Sequence, residues 1–333
     1  MKTLQITGYG KIENNLAFAE VNIPKVGNND ILIEIHAASV NPIDYKIVEG
    51  ALKRAIKLTF PTPIGYDVSG IVIKKGEDVT DFELNDEVFA RVPRERNGTF
   101  AEYIAVDSSV VAKKPNNLNF VEAASIPLVG LTTIQVFEKA NMKSGDKVLI
   151  HAGSGGIGTF AIQYAKSKGA YVYTTTSTKN VDWIKNLGAD RVIDYKKENY
   201  LDIVKDIDIV YDTLGKNYTI DAFKVIKSGG KVISIIGELD DETAKELELN
   251  SFIRFLLSLK RMRITKQAKK KSAMYKFVLM QPNASQLDVI TVLIEKQSLK
   301  PIIDKVFDLD KAIDALLYLK EGRAKGKVVI KMK

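Results

Sequence analysis

The chain contains no cysteine among its 333 residues. That excludes disulfides, every thiolate metal site and every cysteine nucleophile. Histidine is almost as scarce, with His36 and His151 alone. A zinc site of the usual Cys and His kind therefore has too few ligands, and no metal is expected. No apolar run reaches the roughly 18 residues of a membrane span, and the opening stretch MKTLQITGYGKIENN lacks the apolar core of a signal peptide. The expectation is a cytoplasmic protein with no membrane partner.

Apolar residues make up 45% of the chain and charged residues 27%, enough for ordinary cores, and the length suits two domains. Basic residues outnumber acidic ones by 49 to 41. The excess is local. The stretch KRMRITKQAKKKSAMYK (260–276) holds Lys260, Arg261, Arg263, Lys266, Lys269, Lys270, Lys271 and Lys276 and no acid, so the remainder of the chain is balanced. Such a run is the charge pattern of phosphate-backbone binding. It contains one aromatic, Tyr275, and no base-stacking pattern. A solvated helical face is the plainer reading, and nucleic acid is not an expected partner.

The middle of the chain alternates strand and helix. KVLIHA (147–152), AYVYTTT (170–176), RVID (191–194), DIVYD (208–212) and KVISIIG (231–237) read as strands, with helical segments between them. Gly229-Gly230 reads as a turn before the fifth strand. YKFVLMQ (275–281) reads as a sixth, broken by Pro282 and Asn283. This alternation predicts a parallel sheet covered on both faces. The first ~120 residues differ. In NDILIEIHAASV, Ile31, Ile33 and Ile35 alternate with Leu32, Glu34 and His36, the period of a half-buried strand. Closely spaced Pro and Gly residues mark an irregular antiparallel β unit. The tail reads strand, helix, strand with no sheet of its own, so it is expected to rejoin the N-terminal domain. The predicted division is 1–122 with 286–333, and 123–285, in an α/β chain.

Gly153-Ser154-Gly155-Gly156-Ile157-Gly158 fits G-x-G-x-x-G. Standing after a predicted strand and opening a predicted helix, it has the context of a dinucleotide loop rather than of a structural turn. Glycines let the backbone approach a pyrophosphate, and the helix start offers free N–H groups. An NAD enzyme places an acid about 20 residues past the first glycine to bind the ribose 2′-OH. Here residues 174–180 read Thr-Thr-Thr-Ser-Thr-Lys-Asn, and no acid occurs before Asp182. Hydroxyls with Lys179 suit a 2′-phosphate, so NADPH is the expected cofactor. The plainer alternative leaves Lys179 in solvent.

VNPIDYKIVEG (40–50), PIGYDVSGIV (63–72), GTFAEY (98–103), AASIPLVGLTT (123–133), HAGSGGIG (151–158), LGADRVIDY (187–195) and GRAKGKVVI (322–330) together resemble the medium-chain dehydrogenase/reductase superfamily. Within it they are most similar to the quinone oxidoreductase and plant-type NADPH-dependent enone oxidoreductase branch. The resemblance implies a GroES-like β domain for the substrate and a Rossmann domain for the cofactor. It implies cofactor contacts from Lys46, Thr132, Gly153, Gly155, Gly156, Ile157, Gly158, Gly237 and Gly326. Ser177, Thr178, Lys179 and Tyr195 fall where such relatives contact the 2′-phosphate. It also implies a homodimer paired through the sixth Rossmann strand. Where the zinc alcohol dehydrogenases have a catalytic Cys and His, this chain has Asn41 and Tyr66. The zinc-free branch is the better match.

Without a metal, reduction of an activated C=C is easier than reduction of a carbonyl, because the charge lands on an enolate oxygen that hydrogen-bond donors and a cation can hold. The expected substrate is an enone, enal or quinone. The candidate donors are Lys46, Asn41, Tyr45 and Tyr66. Lys46 leads because the resembling enone reductases have a lysine there. Asn41 has the alternative role of tying down its loop, and Tyr45 that of packing inward. Carbonyl reduction on the same scaffold is the competing enzymatic reading. An NADPH-sensing or nucleic-acid-binding protein using 260–276 is the reading from another class.

Overall fold

A computed structural model of the protein describes residues 1–53 and 57–332. The chain forms two compact units, Met1–Leu131 with Gln281–Lys333, and Thr132–Met280. The tail joins the N-terminal segment, and the divisions fall at 131/132 and 280/281 rather than after residues 122 and 285.

In the first unit the strand Asp30–Val40 is the organiser. It pairs antiparallel with Asp67–Lys75 on one side and, on the other, with Lys327–Lys331 and Tyr103–Asp107. The sheet runs on through Glu87–Arg91 and Val111–Lys113 at one end and Ile303–Asp308 at the other. Lys2–Ile6 centres a separate three-stranded sheet. Ile31, Ile33 and Ile35 enter one core with Leu4, Val68, Phe100, Leu316 and Val328. Each such side chain contributes about 1.5–3 kcal/mol. The expected half-buried alternation holds only at Glu34 and His36, because most of the other face is covered too. There Ala37 and Val329 pack under Ala124 of the short helix Phe120–Ala124.

The second unit is a six-stranded, wholly parallel sheet. Its order is Arg191–Asp194, Tyr171–Thr176, Lys147–Ile150, Ile207–Asp212, Ile226–Ser234, Met274–Phe277. The order reverses between Lys147–Ile150 and Ile207–Asp212, where doubly wound sheets bind ligands at their carboxyl ends. Gly229 and Gly230 do not precede the fifth strand but lie within it. The ladder slips register between Ile207 and Ile209, and a Cβ on Gly230 would sit 3.0 Å from the Ile207 carbonyl. The glycine pair thus accommodates a bulge. The sixth strand is shorter than read, ending at Phe277, and forms the sheet edge. Most of the basic stretch lies on a 20-residue helix, Ser251–Lys270, which packs on the helices Asn217–Val225 and Asp241–Glu246 and on the edge strand.

Candidate active site

The first strand of the second unit, Lys147–Ile150, leads through the loop to the helix Gly156–Ser167. Two of the loop's glycines are required by the protein itself. A Cβ on Gly153 would lie 2.2 Å from Thr174 Oγ1, and one on Gly158 would lie 2.3 Å from the Ala152 carbonyl. Gly155 differs. Its φ of −82° suits any residue, and an added Cβ would meet only Ala152 O at 3.4 Å. The fold therefore tolerates a side chain there, and packing within the protein does not require this glycine. Gly155 caps the helix without a side-chain bond, and Thr159 N donates to Gly155 O. The amides of Gly156, Ile157 and Gly158 precede the first helical bonds and remain available to an anion.

The second strand, Tyr171–Thr176, delivers the neighbouring groups. Register sets Thr176 opposite Asp194, and Tyr195 N donates to Thr176 O at 3.0 Å, so Ser177 and Tyr195 become neighbours. Thr178, Lys179 and Tyr195 are exposed, and Lys179 makes no ion pair with any described residue. The buried hydroxyl of Thr176 has no partner among the described residues. Partial burial works to raise the Asp194 pKa, but the Thr178 hydroxyl, the Lys196 amide, Lys197 and Lys196 hold the carboxyl below its ordinary range. Asn180 organises this corner. Its Nδ2 donates to Ser154 Oγ and Ser177 Oγ, both at 3.1 Å, and its Oδ1 accepts from Trp183 Nε1 at 3.1 Å. The sequence reading missed Asn180. Its signal was an amide beside the glycine loop's partner turn. Gly237 is closed in by Tyr275 Oη and Ser234 Oγ, at 2.6 and 2.8 Å from an ideal Cβ. Thr132 is buried.

In the first unit, three strand registers assemble a polar cluster. Val328 pairs with Val40, Ser39 with Asp67, and Asp67 with Arg91. Lys327 therefore comes beside Asn41, and a row of polar side chains crosses four adjacent strands. Asn41 Nδ2 donates to Asp67 Oδ2 at 2.8 Å, and its Oδ1 accepts from Lys327 Nζ. Asp67 also accepts from Ser39 Oγ at 2.8 Å and from Leu128 N at 3.1 Å, with Lys327 Nζ at 3.7 Å. Asn41 N donates to Asp44 Oδ2 at 2.7 Å, closing the start of the helix Pro42–Val48. Arg91 stacks on the Tyr66 ring at 4.2 Å. All of these side chains are buried.

Burial dominates the electrostatics. It raises Asp44 to about 7, with Arg91 and the Asn41 amide opposing, and Asp44 Oδ1 has no hydrogen-bond partner among the described residues. It lowers Lys327 against the pull of Asp67 and Asp44. It pushes Tyr66 up to about 12, with Asp44 adding to the shift. Among the four donor candidates, Asn41 has both ends of its side chain bonded, which matches the loop-tying alternative. Tyr66 is buried under Arg91. Tyr45 packs partly into the core. Lys46 is half-buried on the Pro42–Val48 helix and makes no ion pair with any described residue. Gly326, at φ +96°, lies where a Cβ would meet Ile302 O at 2.2 Å, so the turn into Lys327–Lys331 requires it. Lys327 and Arg91 were not foreseen. Their signal was a cation bordering an apolar strand.

The histidines lie in separate surroundings. His36 stands 3.6 Å from Glu34 and packs on Phe120. His151 Nδ1 is 3.2 Å from Thr175 Oγ1, and burial pulls its pKa down to about 4. No group of three or more His, Cys, Asp or Glu among the described residues is placed to hold a metal ion.

Comparison with known proteins places this architecture. Residues 27–116 match the alcohol dehydrogenase GroES-like domain, and 187–330 match the family described as zinc-binding dehydrogenase. A 2-methylene-furan-3-one reductase of Solanum lycopersicum is 35% identical over 99% of this chain and 79% of its own length. The chain belongs to the medium-chain dehydrogenase/reductase superfamily, in its quinone and enone oxidoreductase branch. Within the superfamily, a chloroplastic NADPH-dependent alkenal/one oxidoreductase of Arabidopsis thaliana is 32% identical over 99% of this chain and 79% of its own. The solved quinone oxidoreductase of Coxiella burnetii superposes with a TM-score of 0.85 at 33% identity, covering 100% and 99% of the two chains. The superfamily fold, a GroES-like β unit with a Rossmann unit, is the one expected from the sequence.

Proposed function

We propose that this chain is an NADPH-dependent oxidoreductase that delivers hydride to the activated C=C of an enone or enal, or to a quinone, without a metal. The observation that carries the reading is Lys46, a half-buried ammonium with no ion-pair partner among the described residues, beside a buried polar cluster that contains no His or Cys. The names of the relatives support it.

The residues fit a dinucleotide. The space kept open at Gly155, the free amides of Gly156, Ile157 and Gly158, and the unpartnered Thr176 hydroxyl are what a bound pyrophosphate and ribose would fill. Ser177, Thr178, Lys179 and Tyr195 would hold the 2′-phosphate, with Lys179 supplying charge. When bound, the nicotinamide supplies the hydride equivalent. Lys46 then holds the negative charge that develops on the substrate oxygen, and Asn41, fixed by Lys327 and Asp67, locks the helix that carries Lys46.

Zinc does not fit these residues. An amide and a phenol stand where thiolate and imidazole would be needed, the Asn41 oxygen is taken by Lys327, and a guanidinium covers Tyr66. We place the enzyme in the cytoplasm, where a chain without cysteine forgoes nothing. We propose that it dimerises through the edge strand Met274–Phe277.

The deciding experiment is product analysis with NADPH deuterated at C4 and an α,β-unsaturated ketone. The expected product is the saturated ketone with deuterium on the β carbon. An allylic alcohol labelled at the carbinol carbon overturns the reading in favour of carbonyl reduction.

A further inference from the structure

We propose that the helix Ser251–Lys270 docks this protein on an anionic lipid surface. Of its 20 residues only Ile264 and Ala268 are buried. On the opposite side Phe252, Phe255, Leu256 and Leu259 follow the i, i+3, i+4, i+7 spacing of a single face, flanked by Met262. Phe252 is 69% exposed, Phe255 57% and Met262 61%. A solvated helix carries polar residues on that side; this one carries large apolar ones.

The same face continues toward the C-terminus as Arg263, Lys266 and Lys270, all exposed. Along the flank lies an open hollow of about 470 Å³ lined by Ser258, Arg261, Met262, Thr265, Lys266 and Lys269. Asp241 pairs with Arg254 and Glu242 with Lys276, but Lys260, Arg263, Lys266, Lys269, Lys270 and Lys271 form no ion pair with any described residue. The helix itself holds no acid. Most of the positive excess of the chain is thus concentrated, without ion pairs to described residues, next to an apolar stripe.

The charge pattern selects the occupant. A second copy of the helix would set cations against cations, or cations against Phe252 and Phe255. A nucleic acid would engage the lysines and leave Leu256, Leu259 and Met262 in water. An anionic bilayer takes the apolar half at the acyl boundary and the basic half among the headgroups. The helix is not a membrane span, since no helix among the described residues is long and apolar enough to cross. The sequence reading expected no membrane partner at all, and surface binding would revise that expectation.

The test is sedimentation of the full chain with phosphatidylcholine vesicles, alone or mixed with phosphatidylglycerol. The protein should pellet with the anionic vesicles only and be released at high salt. Lys266→Glu with Lys270→Glu should weaken binding by at least about tenfold. Phe255→Trp should give a blue-shifted emission on adding anionic vesicles, beyond the Trp183 signal of the wild type. The proposal is overturned by failure to pellet with anionic vesicles, by binding indifferent to the substitutions, or by no shift at Trp-substituted position 255. Capture of a random oligonucleotide without vesicle binding, or self-association abolished by the same substitutions without vesicle binding, also overturns it.

Discussion

The glycine loop occupies six consecutive residues and uses almost no side chains, whereas the polar cluster joins side chains as far as 286 positions apart and uses almost nothing else. The loop works by what it leaves out: a missing Cβ at Gly155 and unspent amides in the first helical turn. The cluster works by mutual support, with buried Asp67 and Asn41 held by Ser39, Lys327 and the Leu128 amide. A site of the first kind loses its ligand when perturbed. A site of the second kind loses its fold, because a buried ion stripped of its partner has nothing to replace it.

Lys327→Met gives the largest expected effect. Removing the ammonium takes the lysine counter-charge from buried Asp67 and the Lys327 bond from the Asn41 oxygen, and stability should fall by about 3–5 kcal/mol, read by urea unfolding. A loss under about 1 kcal/mol would erase the contrast between the two regions. Asp44→Asn tests the same cluster through pH. The folded pKa of about 7 lies above the ordinary 3.8, so between those values the unfolded chain has released a proton that the folded chain keeps. Stability from this group is therefore full below about pH 4 and is lost as pH rises through about 7. The variant should match the wild type near pH 4 and exceed it by up to about 4 kcal/mol near pH 8. Thermal melts across that range would show parallel curves if Asp44 were an ordinary carboxylate.

Lys46→Ala belongs to neither kind, since Lys46 makes no ion pair with any described residue and is only half-buried. We expect kcat/KM to fall roughly 10²-fold, about 2.7 kcal/mol, with melting temperature unchanged. A stability loss of similar size would make Lys46 part of the scaffold. Gly155→Ala is the loop's counterpart to Lys327→Met. NADPH affinity should drop about tenfold by calorimetry while stability moves by less than about 1 kcal/mol. The smallest change is expected from Lys179→Glu, which should narrow or reverse the preference for NADPH over NADH in paired titrations. Equal affinities in the wild type would remove Lys179 from the site.

This contrast also explains what could be read from the sequence. The loop was legible because its determinants are neighbours: strand, glycines and helix follow one another, and the acid-free turn comes at a fixed distance. The parallel sheet was legible from strand–helix alternation. Gly229-Gly230 was misread because a bulge and a turn use the same residues, and only the pairing with Ile207–Asp212 separates them. Asn41 was found, with its tying role open, because its position is local to the Pro42 helix start. Arg91 and Lys327 were missed, because a cation bordering an apolar strand is a common pattern and only strand register brings these two together. Lys327 lies within GRAKGKVVI (322–330), one of the stretches that carry the family resemblance.

Strand order also sets a timetable for synthesis. Lys327–Lys331 lies between Ile303–Asp308 and Asp30–Val40 in the larger sheet of the first unit. Apart from Ile303–Asp308, the other strands of that sheet leave the ribosome some two hundred residues or more earlier, at about 5–20 residues per second. The Rossmann unit is contiguous and is complete in sequence by Met280. The unit that begins first is finished last, and until the final segment arrives Asp67 waits without its lysine and Asp30–Val40 stands with part of one edge open. A chain stopped a dozen residues short would carry a finished nucleotide-binding half and an N-terminal half with an exposed strand, the kind of species that chaperones hold.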